Sequence, residues 1–155
     1  MGTIKQIMIL AVLLLALLTA YAPTPALADD VPWLELPQAL ARQKTQAKPM
    51  VIFFHLTYCW RCKEMKRKVY SDATVIQRLK SQFIPAMIDL AKQESLGKQY
   101  GVDYIPTHVF LGPGGKEVFR KKGIIPLDDY LLMLDYVAGG HYTKMKFKTF
   151  AKDRR

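Results

Sequence analysis

The 155-residue chain has two cysteines, Cys59 and Cys62, both within the stretch T-Y-C-W-R-C-K at residues 57–63. Two thiols at this spacing can close a disulfide with each other, share a metal ion, or carry a haem. Covalent haem attachment needs C-x-x-C-H, and Lys63 occupies the fifth position. Structural zinc needs four ligands, and the remaining candidates, His55, His108 and His141, are far apart along the chain. His55 stands four residues before Cys59, so a two-cysteine copper site, or a stable disulfide in a non-catalytic binding module, stays open. The remaining reading is thiol–disulfide exchange, in which one thiolate attacks a disulfide and the second thiol resolves the mixed disulfide.

The flanking residues say how the pair is held. M-V-I-F-F-H-L at 50–56 is an almost unbroken β-branched and aromatic run, which suits a strand buried on both faces. Thr57 and Tyr58 make a short turn, and the spacing predicts a helix from Cys59 to about Tyr70. Cys62, Met65 and Val69 form its inward stripe, with Lys63, Glu64, Lys66, Arg67 and Lys68 around it. A cysteine at the start of a helix meets unpaired N–H groups and the positive end of the helix, which favour an anion. The thiolate is the nucleophile. Cys59 is therefore the expected attacking residue and Cys62, one turn in, the expected resolving residue. Arg61 and Lys63 are expected to add positive charge that favours the Cys59 thiolate. Tyr58 and Trp60 are expected to frame an apolar docking surface around the exposed sulfur.

The rest of the chain supplies a scaffold. Helical spacing covers 34–46 and stops at Lys48-Pro49. Ser71-Asp72 is a capping signal for a helix over 73–82. A strand follows at 83–90, where Pro85 points to a sheet edge. A short helix at 92–100 leads to the strand T-H-V-F-L. Pro113-Gly114-Gly115 then turns the chain into K-E-V-F-R-K. Pro126 opens a last helix that Gly139-Gly140 closes. The pattern is a single α/β domain with a central mixed sheet flanked by helices. From His141, alternating lysines suit a short basic strand, an extended arm or a loosely packed terminus.

Residues 1–28 differ from everything after them. Lys5, the apolar run at 7–20 and Ala26-Leu27-Ala28 are the parts of a secretory signal peptide, with an uncleaved anchor as the alternative. Both place the domain outside the cytoplasm, in a periplasm or an equivalent exported location. Without this leader, 22 basic residues face 13 acidic ones, a charge of +9. Such a balance favours acidic partners, and the basic tail offers weak contact with an anionic membrane surface. No basic-aromatic block suggests nucleic acid. The expected segments are a signal peptide at 1–28, a lead-in and helix at 29–47, the main domain at 48–138 and a basic tail at 139–155.

Residues 48–137 resemble the thioredoxin superfamily, on P-M-V-I-F-F-H-L-T-Y-C-W-R-C-K, on Y-G-V-D-Y-I-P-T and on G-P-G-G-K-E-V-F. The resemblance implies a thioredoxin fold and a redox-active Cys59–Cys62 disulfide as the only redox group. It also implies a cis-proline at Pro106, with Ile105 and Pro106 offering backbone to a bound substrate strand. C-W-R-C-K-E, followed by Y-S-D-x-x-V, resembles the periplasmic branch containing SoxW-type thioredoxins and the C-terminal domain of the DsbD reductant. That branch implies a reducing or thiol-maintaining role towards exported proteins, fed by a membrane-embedded thiol reductant. One departure stands out. The family carries a buried aspartate six residues before the first cysteine, thought to assist deprotonation of the second, and Phe53 stands there. Glu64 is a substitute by position, although a surface helix residue.

Overall fold

The computed structural model describes residues 30–154, so the leader expected at 1–28 lies outside the described residues. Helix α1 spans Leu36–Thr45, strand β1 Met50–His55, helix α2 Trp60–Lys68 and helix α3 Ala73–Gln82. Strand β2 spans Ile84–Asp89, helix α4 Glu94–Gln99, strand β3 Thr107–Leu111 and strand β4 Glu117–Lys122. Helix α5 spans Leu127–Ala138, and a 3-10 turn at His141–Thr143 leads to helix α6 at Phe147–Lys152. The strands form one mixed sheet in the order β2-β1-β3-β4. Strand β1 runs parallel to β2 and antiparallel to β3, and β3 runs antiparallel to β4.

All six residues of β1 are buried, as a central strand covered on both faces requires. Alternation sends Met50, Ile52 and Phe54 into a core with Leu36 and Ala39 of α1. Val51 and Phe53 enter the opposite core with Cys62 and Met65 of α2, Leu79 of α3 and Tyr130 of α5. Strand β2 is at the edge, where Pro85 belongs. The lead-in strand residue Leu34 pairs there by a single bridge, donating its N–H to the Pro85 carbonyl at 3.0 Å and accepting from Met87 N–H at 3.1 Å. The donor that Pro85 lacks therefore falls on the outer side of the sheet. Asp72 caps α3, its Oδ1 accepting from Thr74 N–H at 2.9 Å and Val75 N–H at 3.0 Å. The hairpin between β3 and β4 turns at Gly115, whose φ of +78° is one that L side chains rarely adopt.

The C-terminal residues depart from the extended or loose terminus expected above. Phe150 is buried, and Phe147 meets Phe119 of β4 at 4.9 Å and Tyr136 of α5 at 5.4 Å between ring centroids. The Tyr136 hydroxyl donates to the Met145 carbonyl at 2.7 Å. The alternating lysines hid an apolar set, Phe147, Phe150 and Ala151, spaced three and four apart on one side of a helix. Phe150→Ala should lower stability by about 3 kcal/mol, while Lys148→Ala on the exposed side should change it by less than about 0.5 kcal/mol. Urea unfolding midpoints measure both, and equal small effects would contradict the packing.

His108 is the unusual member of the core. It is fully buried in β3, opposite Phe53 in the register, and its ring stacks on Phe53 at 5.0 Å. Burial holds its imidazole neutral, with a pKa pushed down to about 3. Between there and roughly pH 6.5, the unfolded chain takes up a proton that native His108 refuses. Stability therefore falls as pH falls, by about 1.4 kcal/mol per unit for this group. In moving from pH 7 to pH 5, wild-type protein should lose about 2 kcal/mol more than His108→Leu, read from urea unfolding at each pH. Identical pH slopes would contradict the burial of a neutral histidine.

Candidate active site

The parallel strands β1 and β2 end on the same side of the sheet, and β3 begins there. The antiparallel register pairs Phe54 with Thr107, which brings Pro106 beside the point where β1 leaves for the turn at 56–59. The Ile105–Pro106 peptide is cis. Ile105 is half-buried and Pro106 buried, and the Pro106 carbonyl accepts from Gly123 N–H at 2.7 Å. The fold thus gathers the cysteine pair and the proline loop at one end of the sheet.

Cys59 is the N-cap residue of α2, with extended backbone at φ −77° and ψ 114°. Its Sγ accepts a hydrogen bond from the backbone N–H of Cys62 at 3.2 Å. A sulfur here does the work that a serine or aspartate oxygen does at other helix starts, satisfying an N–H that the helix leaves unpaired. The same N–H serves an anion at Sγ. Cys59 is half-exposed, whereas Cys62 is 1% exposed, and both are free thiols. The two sulfurs are therefore unequal. Burial, helped by the neighbouring Cys59, pushes the Cys62 thiol up to about 12. The Cys62 thiol is therefore protonated at neutral pH. One thiol is presented for attack and the other stays protonated behind it.

The two expected modulating charges, Arg61 and Lys63, have different surroundings. Arg61 turns to the proline loop, donating from Nη1 to the Tyr104 hydroxyl at 2.9 Å with its guanidinium 5.2 Å from the Tyr104 ring centre. It also lies 5.7 Å from the centre of the Trp60 ring. Lys63 is exposed on α2. Lys66 is the cation whose charge favours the Cys62 thiolate. Glu64 is taken by Arg67 at 3.1 Å and Lys68 at 2.9 Å, which hold its carboxyl below the usual range. Tyr104 and Lys66 were not picked out from sequence as functional. Lys66 was findable, because position i+4 from a buried helical cysteine shares its side of the helix. Tyr104 needed the fold, since 43 residues separate it from Arg61.

Around Cys59, Tyr58 is 92% and Trp60 64% exposed, with Leu56 and Tyr104 also open to solvent. An apolar rim of this kind suits contact with another chain. In the core beside Cys62, Phe53 stacks with two histidines, His55 at 5.5 Å and His108 at 5.0 Å between ring centroids. Among the described residues, no three His, Cys, Asp or Glu side chains are arranged to hold a metal ion.

Comparison with known proteins places this geometry. Thioredoxin-1 of Drosophila melanogaster is 39% identical over 64 residues, which are 41% of this chain and 57% of the relative, so the chain spans little more than half of that protein's length. The solution structure of a thioredoxin from Thermus thermophilus superposes with a TM-score of 0.64 at 30% identity, covering 70% of this chain and 88% of that one. The DsbH oxidoreductase superposes with a TM-score of 0.63 at 20% identity, covering 76% and 91%, a likeness of fold. Residues 36–138 match the thioredoxin-like domain family, and with the cysteine pair at the start of α2 and a cis-proline beside it, the chain belongs to that family.

Proposed function

We propose that the chain is an exported thiol–disulfide oxidoreductase that keeps thiols of exported proteins reduced, within the periplasmic branch that its C-W-R-C-K-E and Y-S-D sequences resemble. The observation that carries this reading is the Cys59 sulfur at the α2 N-cap, 3.2 Å from the Cys62 N–H, with Cys62 buried one turn behind. The Cys59 thiolate attacks one sulfur of a substrate disulfide, and the other substrate sulfur leaves as a thiolate. Cys62 then attacks Cys59, releasing the second substrate thiolate and closing the Cys59–Cys62 disulfide. That disulfide is the only redox group required. A membrane-embedded thiol reductant returns it to the dithiol, consistent with the leader at 1–28.

Tyr58 and Trp60 supply apolar contact for a partly unfolded substrate. Ile105 and Pro106 supply backbone beside the sulfur, and the exposed lysines of the C-terminal residues offer weak contact with an anionic membrane surface. With dithiothreitol as electron source, purified protein should reduce insulin disulfides. Cys59→Ala should remove the activity to background, and Cys62→Ala should accumulate mixed disulfides visible on non-reducing gels. Wild-type and Cys59→Ala protein performing alike would overturn the proposal.

A further inference from the structure

The buried Cys62 thiol must lose its proton before it can resolve a mixed disulfide, and Phe53, which β1 sends into the same core, offers no group to take it. Once Cys59 is tied in a mixed disulfide its own charge is gone, but the burial of Cys62 remains. Among the described groups near Cys62, Tyr70 is fully enclosed and stays protonated far into the alkaline range, and Glu64 is held by Arg67 and Lys68. His108 is too weak a base at about 3.

His55 differs from all of these. It ends β1 on the side of Phe53, the side that faces Cys62 and Met65. It is 5% exposed, and its Nδ1 is enclosed without a hydrogen-bond partner. The next residue, Leu56, ties it to the cysteine pair, its carbonyl accepting from the Cys59 N–H at 3.1 Å. Burial first, and then Lys66, hold the His55 pKa below the usual imidazole value, so the ring is neutral and basic at neutral pH. The charged groups bearing on it are Lys66 of α2, Asp89 at the end of β2, whose carboxylate acts in the opposite sense, and Lys92 just beyond. Asp89 is itself fixed by the Thr57 hydroxyl, which donates to it at 2.7 Å.

We infer that His55 is the base for the resolving step, taking the Cys62 proton in the low-polarity space behind α2, with Lys66 steadying the thiolate. This rests on the exchange reading above. The proton passes from Cys62 Sγ to the His55 imidazole. The Cys62 thiolate forms a bond to Cys59 Sγ, and the Cys59–substrate S–S bond breaks. The departing substrate thiolate is then protonated by the imidazolium or by solvent, which restores neutral His55. In the reverse direction the same ring returns the proton to Cys62.

The test is a rapid-mixing experiment on reduced protein with dithiobis(nitrobenzoate), whose coloured thiolate is released once on attack by Cys59 and again on resolution by Cys62. Wild-type protein should release two equivalents in two phases, the second nearly independent of pH above the imidazole range. In His55→Gln and His55→Ala the second phase should slow at least ten-fold at pH 7 and rise in proportion to hydroxide. The first phase should stay within about two-fold. Added imidazole should accelerate the second phase of His55→Ala. Lys66→Gln, on an exposed side chain that spares the fold, should move the wild-type inflection to higher pH. An unchanged second phase in both His55 variants, or equal slowing of both phases, would overturn the role of His55. Failure of wild-type protein to release the second equivalent would instead overturn the exchange reading.

Discussion

A hydrogen bond from the Cys62 backbone to the Cys59 sulfur joins the two halves of this molecule's chemistry. It exists because β1 is buried on both faces and ends at the edge of the core, so that the chain must turn before α2 can begin. The turn leaves Cys59 outside the helix and Cys62 inside it. From that one placement follow the exposure of the first sulfur, the burial of the second, and the direction in which exchange would run through the pair. Met65, a turn further along α2, secures the same arrangement from below, its Sδ accepting from the Ile125 N–H at 3.3 Å.

The price of holding Cys62 in the core is a thiol that resists ionisation. Desolvation dominates here, because the opposing charge of Lys66 acts from an exposed position and is screened by water. An aromatic cluster fills the space around Phe53, with His55 and His108 stacked on it, Tyr70 edge-on to Phe53 and Tyr130 edge-on to His108. Stacking supplies packing in place of charge. The two histidines occupy opposite regimes within it. His108 is sealed between strands and serves as an aromatic filler, whereas His55 lies at the strand end among Lys66, Asp89 and Lys92.

Much of this arrangement was legible in the residues. The unbroken apolar run at 50–56, the stripe Cys62-Met65-Val69 and the I-P-T sequence are local signals, and each element stands within a few residues of its expected place. Pro85 led to an edge strand for a reason that the hydrogen bonds of Leu34 make concrete. What could not be read were the pairings made by folding. Arg61 was expected to act through its charge near the sulfur; its guanidinium also reaches the Tyr104 hydroxyl across the site, tying the start of α2 to the proline loop. The C-terminal residues misled because lysines dominate their composition, while the few aromatics among them decide the packing.

The central claim is that Cys59 and Cys62 act in sequence on an external disulfide, the first attacking and the second resolving. Reaction of the reduced protein with one equivalent of oxidised glutathione, followed by mass spectrometry of the intact chain, reads this directly. The account predicts a product lighter by two hydrogens, with a Cys59–Cys62 disulfide and two reduced glutathione molecules released per chain. A stable glutathione adduct on Cys59, or a chain that stays fully reduced, would contradict it.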